Sequence, residues 1–397
     1  MIACGEQLCS VILRQKPSLA WYDDRKDVKE SVYMEHIETY LAQLGNRSDQ
    51  RTGAVNTPIY LSTAYAHPGL GESTGFDYSR TANPTRNILQ EGIKNLEAGD
   101  YGFATSSGMA AIQLVIEGLL EAGDYVVTLQ DLYGGTYRYF HVLEERGQYR
   151  FTYCLSAEEI DQALNDDVQL VFIETPTNPM MTEFDIQAIA DKAHAVGALV
   201  VVDNTFYTPV LQQPLRQGAD IVVHSATKYL AGHNDVLAGL VACRGEAIGE
   251  ALAFQLNTTG ATLDPFDCWL TIRGLKTLAL RMNQHQSNAQ AIVDYLKTES
   301  LVSQVFYTGK GGMVTFEMAD QSKINDWLHA VKIFTFAESL GGVESLVTYP
   351  KTQTHADIPE ELRLKYGLND GIVRLSVGIE NGQDLVKDLR NAFDQIR

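Results

Sequence analysis

The chain has 397 residues, which is enough for two domains or for one large α/β domain with an additional lobe. Hydrophobic residues make up 45% and charged residues 20%, as in an ordinary water-soluble globular protein. The formal net charge of −19 at pH 7 argues against nucleic acid and against an anionic membrane as partners, because the overall field repels both.

Residues 1–33 show no clear period, and their apolar stretch is too short and too interrupted for a signal peptide. We expect a disordered or dispensable extension here, with an ordinary N-terminal arm as the alternative. Apolar residues recur at helical spacing from Met34, and residues 50–86 are rich in Thr, Pro and Gly. Residues 34–90 are therefore predicted to form a helix followed by an extended arm.

Five apolar runs rich in β-branched residues follow, with helix-like stretches between the earlier ones. The runs are DYVVTL (124–129), VQLVFIE (168–174), ALVVVD (198–203), DIVVHS (220–225) and AGLVAC (238–243). Near-continuous apolar strands joined by helical crossovers are typical of a parallel sheet that is covered on both faces. Residues 91–264 are therefore predicted to form a large α/β domain with a mostly parallel sheet.

The pattern changes after residue 264. Residues 277–298 predict a long amphipathic helix, and MVTFEMA (313–319), FTFAES (334–339) and IVRLSVG (372–378) predict short strands with polar alternation. Such alternation is typical of a sheet with one face in solvent. Residues 265–397 are therefore predicted to form a smaller α+β domain with a half-exposed sheet.

The five cysteines are scattered and none belongs to a CxxC pair, so neither a disulfide framework nor a metal site is expected. No apolar run approaches the length of a membrane span. These features favour a cytoplasmic location, with no contact to a membrane.

Polar residues follow the apolar runs at the edge where parallel strands end, which is where ligands bind in such sheets. They are Asp203, Thr205, Ser225, Thr227 and Lys228, with Ser107, Gly108 and Met109 at the start of a predicted helix. Each has a simpler explanation when taken alone, since Asp203 could cap a helix and Lys228 could be a solvated surface lysine. Together they place an acid, a lysine, several hydroxyls and a helix N-terminus at one edge.

This combination matches the chemical needs of pyridoxal 5′-phosphate (PLP). A helix N-terminus and hydroxyl groups bind a phosphate, and a desolvated lysine forms a Schiff base with an aldehyde. A buried carboxylate such as Asp203 keeps a ring nitrogen protonated, and Tyr133 can stack on a planar ring. A P-loop and a nicotinamide site are excluded, because neither GxxxxGK[ST] nor GxGxxG occurs where they require it.

Eight motifs, in order, resemble those of the Cys/Met metabolism family of PLP-dependent enzymes. They are DYSRTANPTR (77–86), SSGMAA (106–111), DLYGGTY (131–137), ETPTNP (174–179), VVDNTFYTP (201–209), HSATKYLAGHND (224–235), AESLGGVESL (337–346) and RLSVGIE (374–380). The resemblance covers residues 38–395 and implies the PLP-dependent transferase fold of type I.

The resemblance implies roles for individual residues. Lys228 carries the cofactor and moves protons, Asp203 pairs with the ring nitrogen, and Tyr133 stacks on the ring, so these three are the expected catalytic residues. The expected cofactor-binding set adds Ser107, Gly108, Met109, Thr205, Ser225 and Thr227, together with Tyr78 and Arg80 from a neighbouring subunit. The family then implies a homotetramer built of dimers with shared active sites.

The resemblance also implies small amino-acid substrates. Arg374 is expected to hold the substrate α-carboxylate, with help from Asn178 and Ser339. Asp77 resembles a residue of the γ-synthases of the family, whereas Glu344 resembles a residue of both γ-synthases and γ-lyases. The chain as a whole is most similar to γ-replacing members, which favours the synthesis of cystathionine or homocysteine from an O-acylhomoserine with cysteine or sulfide. A cystathionine β- or γ-lyase is the alternative. A non-catalytic protein on this scaffold is disfavoured by the presence of Lys228, Asp203 and Arg374 together.

Overall fold

The structure, a computed structural model, describes residues 36–397. The extension predicted for residues 1–33 lies outside this range. The helix predicted from Met34 is observed as α1, Ile37–Gln43. The arm that follows it contains no strand of more than one residue pair, and its one isolated bridge, between Ala64 and Tyr78, is flanked by backbone hydrogen bonds from Tyr65 to Asp77 and from Ser79 to Thr63.

The elements of the first and larger part are α1 Ile37–Gln43, α2 Pro84–Leu96, β1 Tyr101–Thr105, α3 Gly108–Leu119, β2 Tyr125–Leu129, α4 Gly134–Glu145, β3 Arg150–Cys154, α5 Ala157–Ala163, β4 Val168–Glu174, α6 Ile186–Ala195, β5 Leu199–Asp203, α7 Thr208–Leu211, β6 Ile221–Ser225, β7 Gly239–Cys243 and α8 Glu246–Thr259. The elements that follow are α9 Pro265–Leu275, α10 Leu278–Leu296, β8 Val302–Phe306, β9 Met313–Met318, α11 Ile324–Ala330, β10 Thr335–Phe336, β11 Leu346–Thr348, α12 Glu360–Lys365, β12 Ile372–Ser376 and α13 Gly382–Ile396.

The first seven strands form one sheet in the order β1-β7-β6-β5-β4-β2-β3. Strands β2 to β6 pair in parallel, while β7 runs antiparallel to both β6 and β1. The mostly parallel sheet is confirmed, and all five predicted runs are strands. The sequence missed β1 and β3, which are the two edge strands; YGFAT and RFTYC lack the continuous apolar character of a central strand.

Helix starts in this part follow from local capping. The Ser107 hydroxyl accepts a hydrogen bond from the Ala110 N–H at 3.1 Å and begins α3. Asn83 caps α2 in the same way, ahead of Pro84 at the first helical position. The capping at Ser107 matters for function because it sets the N-terminus of α3 beside the end of β6.

The remaining strands form a second sheet in the order β10-β11-β12-β9-β8. The strand predicted over residues 334–339 is only Thr335–Phe336. The expectation of a half-exposed sheet was wrong, because β9, β11 and β12 are buried almost throughout. Their polar face packs against the first part of the chain: the Thr315 hydroxyl donates to the Pro179 carbonyl oxygen at 2.7 Å.

Two hydrophobic cores lie on either side of this contact. The first surrounds the large sheet and extends along the chain to include Cys268, Leu275 and Met282. The second joins one face of the small sheet to α10, α11 and α13 around Trp327 and Phe393. The predicted division of the chain at residue 264 stays a prediction. Across residues 36–397, no helix combines the length and the apolar character that crossing a membrane requires.

Candidate active site

Lys228 lies in the turn that follows β6, where its backbone N–H donates to the Ser225 carbonyl oxygen at 3.2 Å. Its ammonium group donates to the Ser339 hydroxyl at 2.8 Å, so it points across to the second part of the chain. Burial, and then the positive charge of Arg374, lower the pKa of Lys228 to about 8. A substantial fraction of this amine is therefore neutral and nucleophilic near pH 8.

Asp203 ends β5, next to the end of β6. Its Oδ1 atom accepts from the backbone N–H of Thr205 at 2.9 Å and from the Thr205 hydroxyl at 2.5 Å. The Thr205 hydroxyl in turn accepts from the Ser225 N–H at 2.8 Å, which ties the ends of the two strands together. Burial raises the pKa of Asp203, while the Thr205 hydrogen bonds and His224 oppose that rise. Both Thr205 bonds reach Oδ1, and no hydrogen bond of a described residue uses Oδ2.

The N-terminus of α3 lies against Ser225. A side chain at Gly108 would place its Cβ 2.8 Å from the Ser225 Cβ and 2.9 Å from its Oγ, so only glycine permits this approach. The hydroxyl of Thr227 is held by the Ala238 backbone, accepting from its N–H at 3.0 Å and donating to its carbonyl oxygen at 3.2 Å. The structure thus brings the predicted hydroxyls and free helical N–H groups together at one place.

Arg374 is only 1% exposed, on β12. Its Nη1 donates to the Asn178 Oδ1 at 2.9 Å, and its Nη2 donates to the Ser339 carbonyl oxygen at 3.1 Å and to the Thr348 hydroxyl at 3.2 Å. Its Nε–H is buried without a partner among the described residues. Burial lowers the pKa of Arg374 to about 10. A fixed guanidinium with an unpaired buried donor is suited to receiving a carboxylate.

Ser339 joins the two predicted groups, since its hydroxyl contacts Lys228 and its carbonyl oxygen contacts Arg374. Its φ of 92° lies in the left-handed region, which a serine rarely adopts. Sequence reasoning assigned Ser339 to substrate binding, and the structure places it between the lysine and the arginine.

Tyr133 immediately precedes α4, and 40% of its surface is exposed. Its backbone N–H donates to the Glu174 Oε2 at 2.8 Å. Burial raises the pKa of the Tyr133 phenol. Glu174 ends β4 directly opposite Asp203 of β5, and burial followed by the Asp203 charge raises the pKa of Glu174 well above its usual range.

The arm residues lie elsewhere in the chain. Tyr78 is 45% exposed, with the Arg80 guanidinium 5.6 Å from its ring centroid. Arg80 donates to the Asn257 side-chain oxygen at 2.8 Å, and Asp77 lies 3.1 Å from the His67 Nε2. Within residues 36–397, no hydrogen bond or ion pair joins these residues to Lys228, Asp203 or Arg374, so a single chain does not bring them to the site.

A cavity of about 530 Å³ opens beside Lys228, lined by Thr227, Asn234, Glu338 and Ser339 among others. Glu344 accepts a hydrogen bond from Asn234 at 2.7 Å and thereby contacts the cavity wall. Glu338 was not predicted as a site residue, although it lies in the motif AESLGGVESL (337–346). The negative charge of Glu338 acts to raise the pKa values of Lys228, Tyr133 and Arg374, in opposition to burial for the lysine and the arginine.

Sequence reasoning also missed a buried pair beneath β6. The His224 Nε2 lies 2.7 Å from the Glu97 Oε1, with both side chains fully buried. The same Glu97 oxygen accepts from the Asn204 side chain at 2.9 Å. Glu97 is 127 positions away from His224, so no local pattern could have linked the two residues.

These residues fit PLP on structural grounds. A buried lysine of lowered pKa suits an aldehyde, and Asp203 has an oxygen free for a ring nitrogen. The cradle formed by Gly108 and Ser225, which a Cβ would fill, suits a phosphate. A large, mostly parallel sheet that presents these groups beyond its strand ends defines a PLP-dependent enzyme of fold type I.

The chain belongs to a particular family of this class. The family model described as Cys/Met metabolism PLP-dependent enzyme matches residues 38–394. The chain is 53% identical over 365 residues to the cystathionine gamma-synthase/O-acetylhomoserine (thiol)-lyase of Bacillus subtilis (strain 168), covering 91% of this chain and 98% of that protein. It is 45% identical over 377 residues to the cystathionine gamma-lyase of the same organism, covering 90% and 99%.

A solved structure supports the fold. The cystathionine gamma synthase from Xanthomonas oryzae pv. oryzae, in complex with aminoacrylate and cysteine, matches with a TM-score of 0.89 and 39% sequence identity. The match covers 91% of this chain and 98% of that one. The predicted fold class and the predicted cofactor are thereby confirmed.

Proposed function

We propose that the protein catalyses γ-replacement on an O-acylhomoserine. The bond between Cγ and the ester oxygen breaks and the acyl group leaves as a carboxylate. A bond forms between Cγ and the sulfur of cysteine, giving L-cystathionine, or of sulfide, giving homocysteine, and the thiol proton is released. The 53% identity to a relative named for both activities supports this proposal.

The observation that carries the proposal is the junction of Lys228, Ser339 and Arg374. Bound PLP supplies an aldehyde and a cationic ring that accepts electrons from the substrate. Lys228, with its pKa of about 8, removes the proton from the substrate Cα and returns protons to the carbon chain. Ser339 keeps the amine within reach through its hydroxyl, at 2.8 Å.

Arg374 holds the α-carboxylate in this proposal. Its unpaired Nε–H is the donor available to the carboxylate, while Asn178 keeps the guanidinium in place. A buried donor without a partner costs about 1–3 kcal/mol, so a carboxylate that pairs with it relieves this penalty. Binding energy and orientation are thereby combined in one contact.

Asp203 and Tyr133 act on the cofactor ring, as the carboxylate partner of its nitrogen and as the stacking group. Gly108, Met109, Ser107, Ser225, Thr227 and Thr205 form the phosphate side of the proposed site. The cavity beside Glu338 and Glu344 is the proposed place for the distal part of the substrate, with Asp77 entering from a second chain.

We also propose a homotetramer built of dimers with shared active sites. Supporting this, Tyr78 and Arg80 do not contact Lys228 within one chain, although the family motif assigns them to the cofactor phosphate. The cysteines at positions 154, 243 and 268 are free and buried, which supports a cytoplasmic location.

A substrate panel on purified protein tests the function. O-acetylhomoserine and O-succinylhomoserine are each offered with cysteine or with sulfide, and cystathionine is offered alone. We expect cystathionine or homocysteine from the first set. The Lys228→Ala variant should lose the product and the absorbance band of lysine-bound PLP together, which excludes a non-catalytic protein.

A cystathionine lyase is the second candidate, favoured by the 45% identity to a gamma-lyase. It predicts rapid formation of 2-oxobutanoate or pyruvate from cystathionine, with no replacement product from the homoserine esters. That outcome would contradict the γ-replacement proposal.

A further inference from the structure

A second cavity of about 210 Å³ lies apart from the site just described. It is enclosed by the ends of β2 and β3, the loop after β4, and the end of α12. Its lining contains none of Lys228, Asp203, Ser339 or Arg374. The cavity is therefore a separate feature of the fold, for which the proposed reaction has no use.

Asp131 is the acid of this cavity and is only 7% exposed. Neither of its carboxylate oxygens completes a hydrogen bond with a described residue. Burial raises the pKa of Asp131 to about 7, although the Thr177 hydroxyl and the Met180 N–H lie near enough to oppose the rise. A buried carboxylate with two open oxygens is costly to keep and is suited to a ligand that donates hydrogen bonds.

Further polar groups point to the same ligand. The Tyr366 hydroxyl is buried, lines the cavity, and has no partner among the described residues. The Thr177 hydroxyl accepts from the Thr182 N–H at 3.0 Å, which directs its own proton to Asp131. Arg363, a buried cation of α12, donates to the Ile358 carbonyl oxygen instead and lies outside the lining.

Lys365 supplies the opposite charge. It is exposed, at the end of α12, and it is the one basic residue of the lining, as Asp131 is the one acidic residue. The remaining wall is mixed, with the apolar side chains of Leu129 and Phe184 beside the hydroxyl groups of Thr177 and Thr182. One acid inside and one base at the mouth complement a zwitterion, and the leucine and phenylalanine side chains of the wall leave room for an apolar group beside the hydroxyls.

We propose that this cavity binds a small α-amino acid with an apolar side chain. The ammonium group donates to the Asp131 carboxylate, and the carboxylate faces Lys365. Asp131 lies two residues along the chain from Tyr133, but the cavity lining contains none of the proposed cofactor-binding residues. This binding function is independent of the proposed reaction, and it holds whether that reaction is replacement or elimination.

Isothermal titration of the holoenzyme with N,N-dimethylalanine tests the proposal. This probe keeps one N–H donor and the carboxylate, but as a tertiary amine it cannot form an imine with PLP. We expect Asp131→Asn to weaken or remove one site per chain, by at least about tenfold, because hydrogen bonds to charged groups contribute most. Any binding that survives in this variant belongs to the site of Arg374.

Two analogues and three variants complete the design. N,N-dimethylethylamine lacks the carboxylate and should bind more weakly than the probe, whereas 2,3-dimethylbutyrate lacks the nitrogen, so Asp131→Asn should not change its binding. Lys365→Ala should weaken the probe but not the amine, and Tyr366→Phe provides a second perturbation that retains the acid. Asp166→Asn, at an exposed acid away from the cavity, is the matched control.

Retention of the PLP absorbance band checks that each variant is folded. Unchanged binding in Asp131→Asn, or no binding by the wild-type holoenzyme, overturns the proposal and leaves a cavity that holds water only. Equal binding of the amine and the probe, with no effect of Lys365→Ala, overturns the assignment to amino acids.

Discussion

Lys228 combines two properties that rarely occur together in a lysine, namely burial and a positively charged neighbour. Both disfavour the ammonium form, and together they lower its pKa to about 8. An unperturbed lysine has a pKa of about 10.4, so Lys228 loses its proton at a lower pH than other lysines do.

The pH dependence of amine labelling measures this difference. In the apoprotein, acylation of the Lys228 peptide, followed by mass spectrometry, should increase with pH and level off above a midpoint near 8. Lys228→Ala removes the labelled site and serves as the control. A midpoint above 10 would contradict the assigned burial of the amine.

The buried environment of Arg374 also leads to a specific prediction. Replacing it with alanine removes a buried charge that holds Asn178 and, in the proposal, the substrate carboxylate. Losing one partner of such a pair costs about 2–5 kcal/mol, so kcat/KM should fall by at least about 30-fold. Steady-state kinetics with an O-acylhomoserine measure the fall.

Arg374→Lys is the informative companion, because a lysine keeps the charge but lacks the planar set of N–H donors that contacts Asn178, Ser339 and Thr348 and leaves Nε for the ligand. We expect it to recover only a small part of the loss. A KM close to that of the wild type in this variant would contradict the assignment of Arg374 to the carboxylate.

At the scale of single elements, the close approach of α3 to the end of β6 depends on one glycine. Gly108→Ala would place its Cβ 2.8 Å from the Ser225 Cβ and move the helix N-terminus away from the phosphate side of the site. We expect the Kd for PLP, measured by reconstitution of the apoprotein, to rise about tenfold or more, as for the loss of a charge-assisted hydrogen bond.

Gly118→Ala in the same helix is the matched control. Its Cβ would come no closer than 3.1 Å to a heavy atom, the Leu252 Cδ2, and its nearest neighbours are all side-chain atoms. Because alanine favours a helix over glycine by roughly 0.5–1 kcal/mol, this variant should be neutral or slightly stabilising. A PLP affinity lowered equally in both variants would show that the contact with Ser225 is not the cause.

The pair Glu97–His224 ties α2 to β6 beneath the site. Its two side chains are fully buried, with 2.7 Å between the His224 Nε2 and the Glu97 Oε1. Glu97→Ala leaves His224 and Asn204 without their shared partner and should lower the free energy of unfolding by about 3–5 kcal/mol. Urea unfolding followed by circular dichroism measures this loss.

Asp161→Ala is the control for that experiment, since the exposed pair Asp161–Lys192 at 3.0 Å should contribute at most about 1 kcal/mol. A similar loss in both variants would mean that the buried pair adds nothing beyond a surface contact.

Tyr78 and Arg80 are expected to function only when two whole chains associate. If they serve a neighbouring subunit, Arg80→Ala and Lys228→Ala chains are each inactive alone but complement one another in mixed dimers. Random mixing makes half of the dimers hybrid, and each hybrid has one intact site, so about a quarter of wild-type activity should return. Activity after co-refolding measures it, and no recovery would contradict shared sites.

Much of this molecule was predictable from the sequence because the signals are local. The five central strands are continuous apolar runs, and Lys228, Asp203 and Arg374 lie in or directly after strands whose motifs resemble one family. Edge strands β1 and β3 were missed because a strand with one neighbour needs no continuous apolar run.

Only the tertiary structure decided which polar groups are buried and what they meet. Thr315, Thr348, Arg374 and Ser376 alternate along their strands as residues facing water do, yet they are buried at the contact between the two parts of the chain. The pairing of Glu97 with His224 and the enclosure of Asp131 likewise depend on elements distant in sequence. Local periodicity specifies which residues share a face, whereas packing of the whole chain specifies whether that face meets solvent, a ligand or another element.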